Sequence, residues 1–201
     1  MELMIAMALG GIVMTVLMTT FLSQHQVYLA QDQVVEMQQN ARVAMDMLEQ
    51  DIRSAGYDPD RLGAGITVAD ANTFAFTRDN DAGQLQTIRY ALIDAFVSLD
   101  RSDGVIDDLG RSVDGGGLQP VAENINQLEF RYLDVNGILT TELRKICFVQ
   151  VSMLVQSSQR ETKMHPGRNL YVTPSGVHWQ AQVGFWNVYL TTTLNGRNLG
   201  L

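Results

Sequence analysis

Positive charge is missing from the start of this chain. No Lys or Arg precedes Arg42, and Lys occurs only as Lys145 and Lys163. The 14 Lys and Arg are outnumbered by 22 Asp and Glu, giving a formal net charge of −8. Phosphate neutralisation needs a basic face, so direct nucleic-acid binding is not expected. Cysteine is almost absent: Cys147 stands alone, so no intramolecular disulfide can form and the fold must stand on its core. Proline is scarce, with four residues and none before Pro59, so no ring interrupts a helix up to that point. A secretory signal peptide is also not expected. The first residues carry no basic segment, the apolar run is too long, and no small-x-small cleavage site follows it.

What is present is a stretch without charge, Leu3 to Leu22, preceded by a single acid, Glu2. As a helix its 20 residues span about 30 Å, the thickness of a bilayer's hydrocarbon layer. The expectation is one retained membrane helix. Flanking charge does not set its orientation, since neither side has nearby positive residues. The acidic remainder is expected on the exported, periplasmic side of an inner membrane.

Beyond the apolar run the pattern becomes one-sided. Val27, Ala30, Val34, Met37, Ala41, Ala44, Leu48, Ile52 and Ala55 are spaced alternately three and four apart, as one face of a helix requires. Gln31, Gln33, Glu36, Gln39, Asp46, Glu49, Gln50 and Arg53 form the solvated face. The spacing predicts one helix from about residue 2 to Ala55, roughly 80 Å long. Gly10 and Gly11 are its weak points, at about 1 kcal/mol each relative to Ala. Gly56 suits a left-handed cap, and Pro59 stops the helix from resuming.

From residue 57 the apolar period falls to two. The sets are Phe74/Phe76, Ile88/Tyr90/Leu92, Leu128/Phe130/Tyr132, the run Cys147 to Val155, and Val188 to Leu194. Each reads as a half-buried strand of an antiparallel sheet. Asp134-Val135-Asn136-Gly137 reads as a hairpin turn between Leu133 and Ile138. Asp100–Gln119 and Ser157–Pro174 read as long polar connections, which in a compact domain are commonly functional. The fold class is therefore α+β. A hydrophobic helix occupies 1–22, its amphipathic continuation 23–56, and an antiparallel β-sheet domain 57–201. The second half of the helix should lie on the sheet, and the first half should protrude.

Met1-Glu2-Leu3-Met4-Ile5-Ala6, followed by an apolar helix containing Gly11, resembles the N-terminal helix of type IV pilins and of the pseudopilins of type II secretion. Asn40-Ala41-Arg42, then Arg53-Ser54-Ala55-Gly56-Tyr57-Asp58-Pro59, resembles the end of the long helix in PilW-like minor pilins. Asn124-Ile125, Leu128-Glu129-Phe130-Arg131-Tyr132 and Asn136-Gly137 resemble that group's middle strand and hairpin; Thr191-Thr192-Thr193 with Arg197-Asn198-Leu199 resembles its last strand. J-type pseudopilins share much of this layout.

The resemblance implies a pilin-like fold and a minor subunit of a filament. In the family a prepilin peptidase cuts after a Gly, and an N-methylated Phe followed by Thr-Leu opens the mature chain. Those residues are absent here, so the resemblance implies a start upstream of Met1. Thr19-Thr20 stand where many major pilins carry a proline. Carried over, Glu2 pairs with the N-terminal amine of a neighbouring subunit, and Gly10 and Gly11 allow close helix approach. The implied partners are other pilins or pseudopilins, an inner-membrane assembly platform, the peptidase, and lipid before assembly. The loop 100–119 is the expected neighbour contact. A J-type pseudopilin is the alternative within this class; a membrane-anchored periplasmic binding or adhesin domain is the alternative outside it.

Little else suggests chemistry. Asp100, Asp103, Asp107 and Asp108 with Gly104 offer clustered oxygens of the kind calcium takes, although their spacing misses the EF-hand loop. No other cofactor is expected. His25, His165 and His178 lack ligand spacing, and Gly115-Gly116-Gly117 lacks the Lys-Ser/Thr of a phosphate loop. Trp179, Phe185 and Trp186 read as core or sheet-face aromatics. With no nucleophile–base set or paired carboxylates in view, an enzyme is not expected.

Overall fold

A computed structural model describes residues 1–80, 82–93, 108–160 and 169–200. A single helix, α1 (Glu2–Ser54), opens the chain. Its last turn gives way at Ala55, which is extended, and Gly56 then takes a left-handed conformation at φ +73°. Glycine is required there for a second reason. A Cβ on Gly56 would sit 2.8 Å from the Asn198 carbonyl oxygen. The Gly56 N–H donates to the Thr77 carbonyl at 3.0 Å, so the chain leaves the helix already tied to the sheet.

Five strands follow in a meander: β1 (Ile66–Ala69), β2 (Thr73–Asp79), β3 (Leu85–Ile93), β4 (Asp108–Val113) and β5 (Gln119–Ala122). A second sheet has β7 (Phe148–Gln156) in the middle, between β6 (Ile125–Leu133) and β10 (Asn187–Asn195). A short hairpin pairs β8 (Leu170–Val172) with β9 (His178–Gln180). Every pairing is antiparallel. The long helix on antiparallel strands is the α+β layout expected from the sequence, with two main sheets where one was anticipated.

The helix and both sheets share one core. Leu48 and Ile52 of α1, Phe74, Phe76, Ile88 and Tyr90 of the first sheet, and Phe130, Val149, Val151 and Met153 of the second are all buried together. Phe74 forms the hub, its ring 5.4 Å from Phe76, 5.7 Å from Phe130 and 6.0 Å from Tyr132. The sheets are also joined through main-chain groups: the Phe130 N–H donates to the Ala71 carbonyl at 2.7 Å, and the Tyr132 hydroxyl donates to the Asp70 carbonyl at 2.8 Å. Burial of polar strand ends is thereby matched with hydrogen bonds rather than left as a cost.

Two expectations need correction. The supposed polar connection 100–119 contains β4, which is hydrogen-bonded on both sides, to β3 and to β5. Its residues Asp108, Leu109 and Gly110 are buried, so this part of the segment is sheet interior and not an exposed neighbour-contact loop. Gly110 makes room: a Cβ there would lie 2.9 Å from Ile93 Cδ1. The Asp134–Gly137 turn does form, with Asp134 Oδ1 accepting the Asn136 and Ile138 N–H groups at 2.8 and 2.9 Å. The chain after it does not return as a full strand. Only a single bridge, Leu133 to Leu139, follows, and the partner of β6 is β7.

Candidate functional site

The candidate site is α1 itself, beginning with its exposed half. Residues 1–29 are all exposed, and Ala30 is the first buried position. This segment is long and apolar enough to cross a membrane as a single span, with the β domain at its other end. Its polar atoms are already satisfied. Thr15 donates its hydroxyl to the Gly11 carbonyl, and Thr19 and Thr20 donate to the Val16 carbonyl, at 2.8 to 2.9 Å. No side-chain hydroxyl among these three enters lipid without a partner, which is the condition a span must meet.

Glu2 lies exposed in the first turn. A Cβ added at Gly10 or Gly11 would meet nothing within 4 Å, so neither glycine is required by packing inside this chain. A pair of adjacent glycines does leave a notch where another helix backbone can approach closely.

Where the bare half meets the domain, Val27, Ala30, Gln31, Val34, Val35 and Trp186 line an apolar groove of ≈ 460 Å³. From Ala30 onward, Met37, Ala41, Ala44, Leu48, Ile52 and Ala55 turn inward, as the three-four spacing predicted. Val27 remains exposed and Val34 is half-buried.

One buried group on this face was not anticipated. Asp51 is 5% exposed, between Leu48 and Ile52 on the apolar stripe. Its Oδ2 accepts the Tyr90 hydroxyl at 2.6 Å and the Arg111 Nε–H at 2.7 Å. Arg78 Nη1 stands 3.6 Å from Oδ1 and donates to Ser54 Oγ at 2.9 Å. Burial, followed by the Asp51 carboxylate, pushes the Tyr90 hydroxyl far above its ordinary value, so it remains a donor. Burial works against the Arg111 charge, and the bond to Asp51 more than offsets it, leaving the guanidinium pKa raised. A carboxylate with three directional partners on β2, β3 and β4 sets how α1 is rotated on the sheet. The signal in the sequence was positional: an acid three residues after Leu48 and one before Ile52 must face the core's edge.

The helix exit is held by a second acid. Asp58 Oδ1 accepts the Leu62 N–H at 2.6 Å, and Oδ2 accepts those of Gly63 and Ala64 at 2.7 and 3.0 Å. Burial opposes the charge, but the amide groups prevail and hold this carboxyl below its ordinary value. The loop thus winds around a carboxylate that stays ionised.

Of the four calcium candidates, Asp100, Asp103 and Asp107 lie outside the described residues, and Asp108 is buried at the start of β4. Among the described residues no group of three or more His, Cys, Asp or Glu is arranged to hold a metal. His25 and His178 are exposed, and His165 lies outside the described residues. Trp179 is buried, with its ring edge-on to Tyr189 at 6.0 Å, while Phe185 and Trp186 are half-buried. Gly115 forms part of the β4–β5 turn at φ +74°. No protein-family model, curated protein or solved structure matches this chain.

Proposed function

We propose that this chain is a minor subunit of a type IV pilus-like filament, similar to PilW-like minor pilins. It is held first in the inner membrane by residues 1–22 and then moves into a helical bundle with other subunits. The carrying observation is a single unbroken helix whose first 29 residues are all exposed, while the remainder is fastened to a folded domain. A surface that apolar requires lipid or other helices around it. Exchanging one for the other changes apolar burial little, so packing at Gly10 and Gly11 and the pairing of Glu2 would determine register. An acid in such a bundle needs a cation, and the resemblance supplies one in a neighbour's N-terminal amine.

The test is Glu2→Gln in the native host. Filament number, or secretion if the system is a J-type pseudopilus, should fall by at least about tenfold, the equivalent of roughly 1.4 kcal/mol per pairing. Membrane insertion and domain folding should be unchanged. Normal assembly by the variant would favour an anchored periplasmic binding or adhesin domain, in which Glu2 has no role.

A further inference from the structure

The uncharged part of α1 is longer than a hydrocarbon layer needs. No Asp, Glu, Lys or Arg stands between Glu2 and Asp32. The 29 residues between them span about 44 Å as a helix, the thickness of a bilayer with both headgroup layers included. With both acids in water, the hydrocarbon ends near Val27, and Val27 to Gln31 cross the headgroups on the domain side. The apolar groove begins at that level. Val27, Ala30 and Gln31 line it from the helix, and Trp186 lines it from the β domain. Tyr28, 65% exposed, stands at the same height. Trp and Tyr favour this layer, where a ring can be apolar at one end and wet at the other.

The loop that carries Trp186 is uncharged and firmly held. Ala181-Gln182-Val183-Gly184-Phe185-Trp186 contains no ionisable residue, and Val183 is exposed. The Trp186 N–H donates to Ser157 Oγ at 3.1 Å, and its carbonyl accepts the Ser157 N–H at 2.8 Å. Asn187 Nδ2 donates to the Phe185 carbonyl at 2.7 Å. Beside this loop lies one cation. Gly184 takes φ +93°, and a Cβ there would come within 2.7 Å of Arg160 Nε, so the Arg160 side chain lies across the glycine. Arg160 is exposed and enters no ion pair among the described residues. Glu36, an acid on the adjoining helix, accepts from Ser158 at 3.3 Å instead.

We propose that the Gly184–Trp186 loop and Arg160 dock the β domain onto the phospholipid bilayer that α1 crosses. Trp186 and the groove beside Val27 meet the glycerol and upper acyl region, and the Arg160 guanidinium meets a lipid phosphate, whose planar recognition it suits. The lipid is zwitterionic: a chain of net charge −8 is repelled by an anionic surface. The occupant follows from continuity, since the groove opens where the lipid-facing part of the helix ends. The inference rests on the membrane-span reading and does not require a filament. A domain held at two points, by its helix and by this loop, has a fixed tilt on the membrane, and leaving the bilayer requires releasing both.

The experiment is tryptophan fluorescence of the full chain in phosphatidylcholine vesicles, with lipids brominated either high on the acyl chain or near its end. Wild-type emission should fall by about half with the high bromines, because one of its two tryptophans reaches them, and less with the deep ones. Trp186→Phe should abolish that loss, leaving the buried Trp179 unquenched. Arg160→Glu, at an exposed position, should weaken the loss and gives the same reading if Trp186→Phe does not fold. Phe21→Trp, made in Trp186→Phe, reports the span separately and should be quenched most by the deep bromines. Quenching at position 21 with none at Trp186 overturns the docking and leaves the span standing. Quenching at neither position removes the span and the docking with it. Trp186 emission that follows the protein-to-lipid ratio and not bromine puts a second copy of the chain in the groove, and also overturns the proposal.

Discussion

The two halves of α1 share one helical axis and have opposite fates. The more apolar half buries nothing, and the half rich in Gln, Glu and Asp supplies a face of the core. Apolar content therefore does not decide which half packs; pattern does. The packed face is lined with small residues, Ala30, Ala41, Ala44 and Ala55, interspersed with Met37, Leu48 and Ile52. Small side chains let the helix lie close to the strands, and the larger ones fill the space between Phe74, Ile88 and Val151. The first half is apolar on all sides, which suits an environment that surrounds it and not a sheet that meets only one face.

The contrast can be broken by substitution. Leu48→Ala, at a fully buried position, should cost about 2–5 kcal/mol of unfolding free energy, read from urea titrations in detergent. Asp51→Ala should cost about 2–3 kcal/mol. It strands the Tyr90 hydroxyl and leaves Arg111 and Arg78 without their shared acceptor, and the partial exposure of both arginines moderates the loss. Ile12→Arg should leave the same titration within about 0.5 kcal/mol of wild type, because no contact of the domain is touched. Its effect should appear instead in flotation with vesicles, as membrane insertion weakened by about 3 kcal/mol. If Ile12→Arg destabilised the domain as much as Leu48→Ala does, the two halves would not be independent.

Much of this architecture was legible because it rests on periodicity. The three-four spacing marked the packed face, and the alternation of Phe74/Phe76 and Leu128/Phe130/Tyr132 marked β2 and β6. What escaped was structure without an apolar signature. In Asp108-Leu109-Gly110-Arg111-Ser112-Val113 few side chains look like a strand, yet β4 is paired on both sides, between β3 and β5, and delivers Arg111 to Asp51. β7 misled in the other direction. Its alternation suggested one covered face, whereas Ser152, Leu154 and Gln156 are buried along with Val151, Met153 and Val155. Burial on a second face comes from partners distant in sequence, so no local pattern announces it. What Asp51 meets was hidden for the same reason: its place beside Leu48 and Ile52 marks the face it lies on, and only the fold reveals Tyr90, Arg111 and Arg78 around it.

The direction in which α1 lies on the domain has a mechanical consequence. The packed face from Ala30 to Ala55 extends about 37 Å along the axis, parallel to any tension applied through the apolar end. Such tension loads that face in shear, so contacts from Ala30 to Ala55 bear it together, as does the directional grip on Asp51. A force drawing the apolar rod out of lipid would thus haul the β domain along as a unit, and would not peel its strands apart one by one.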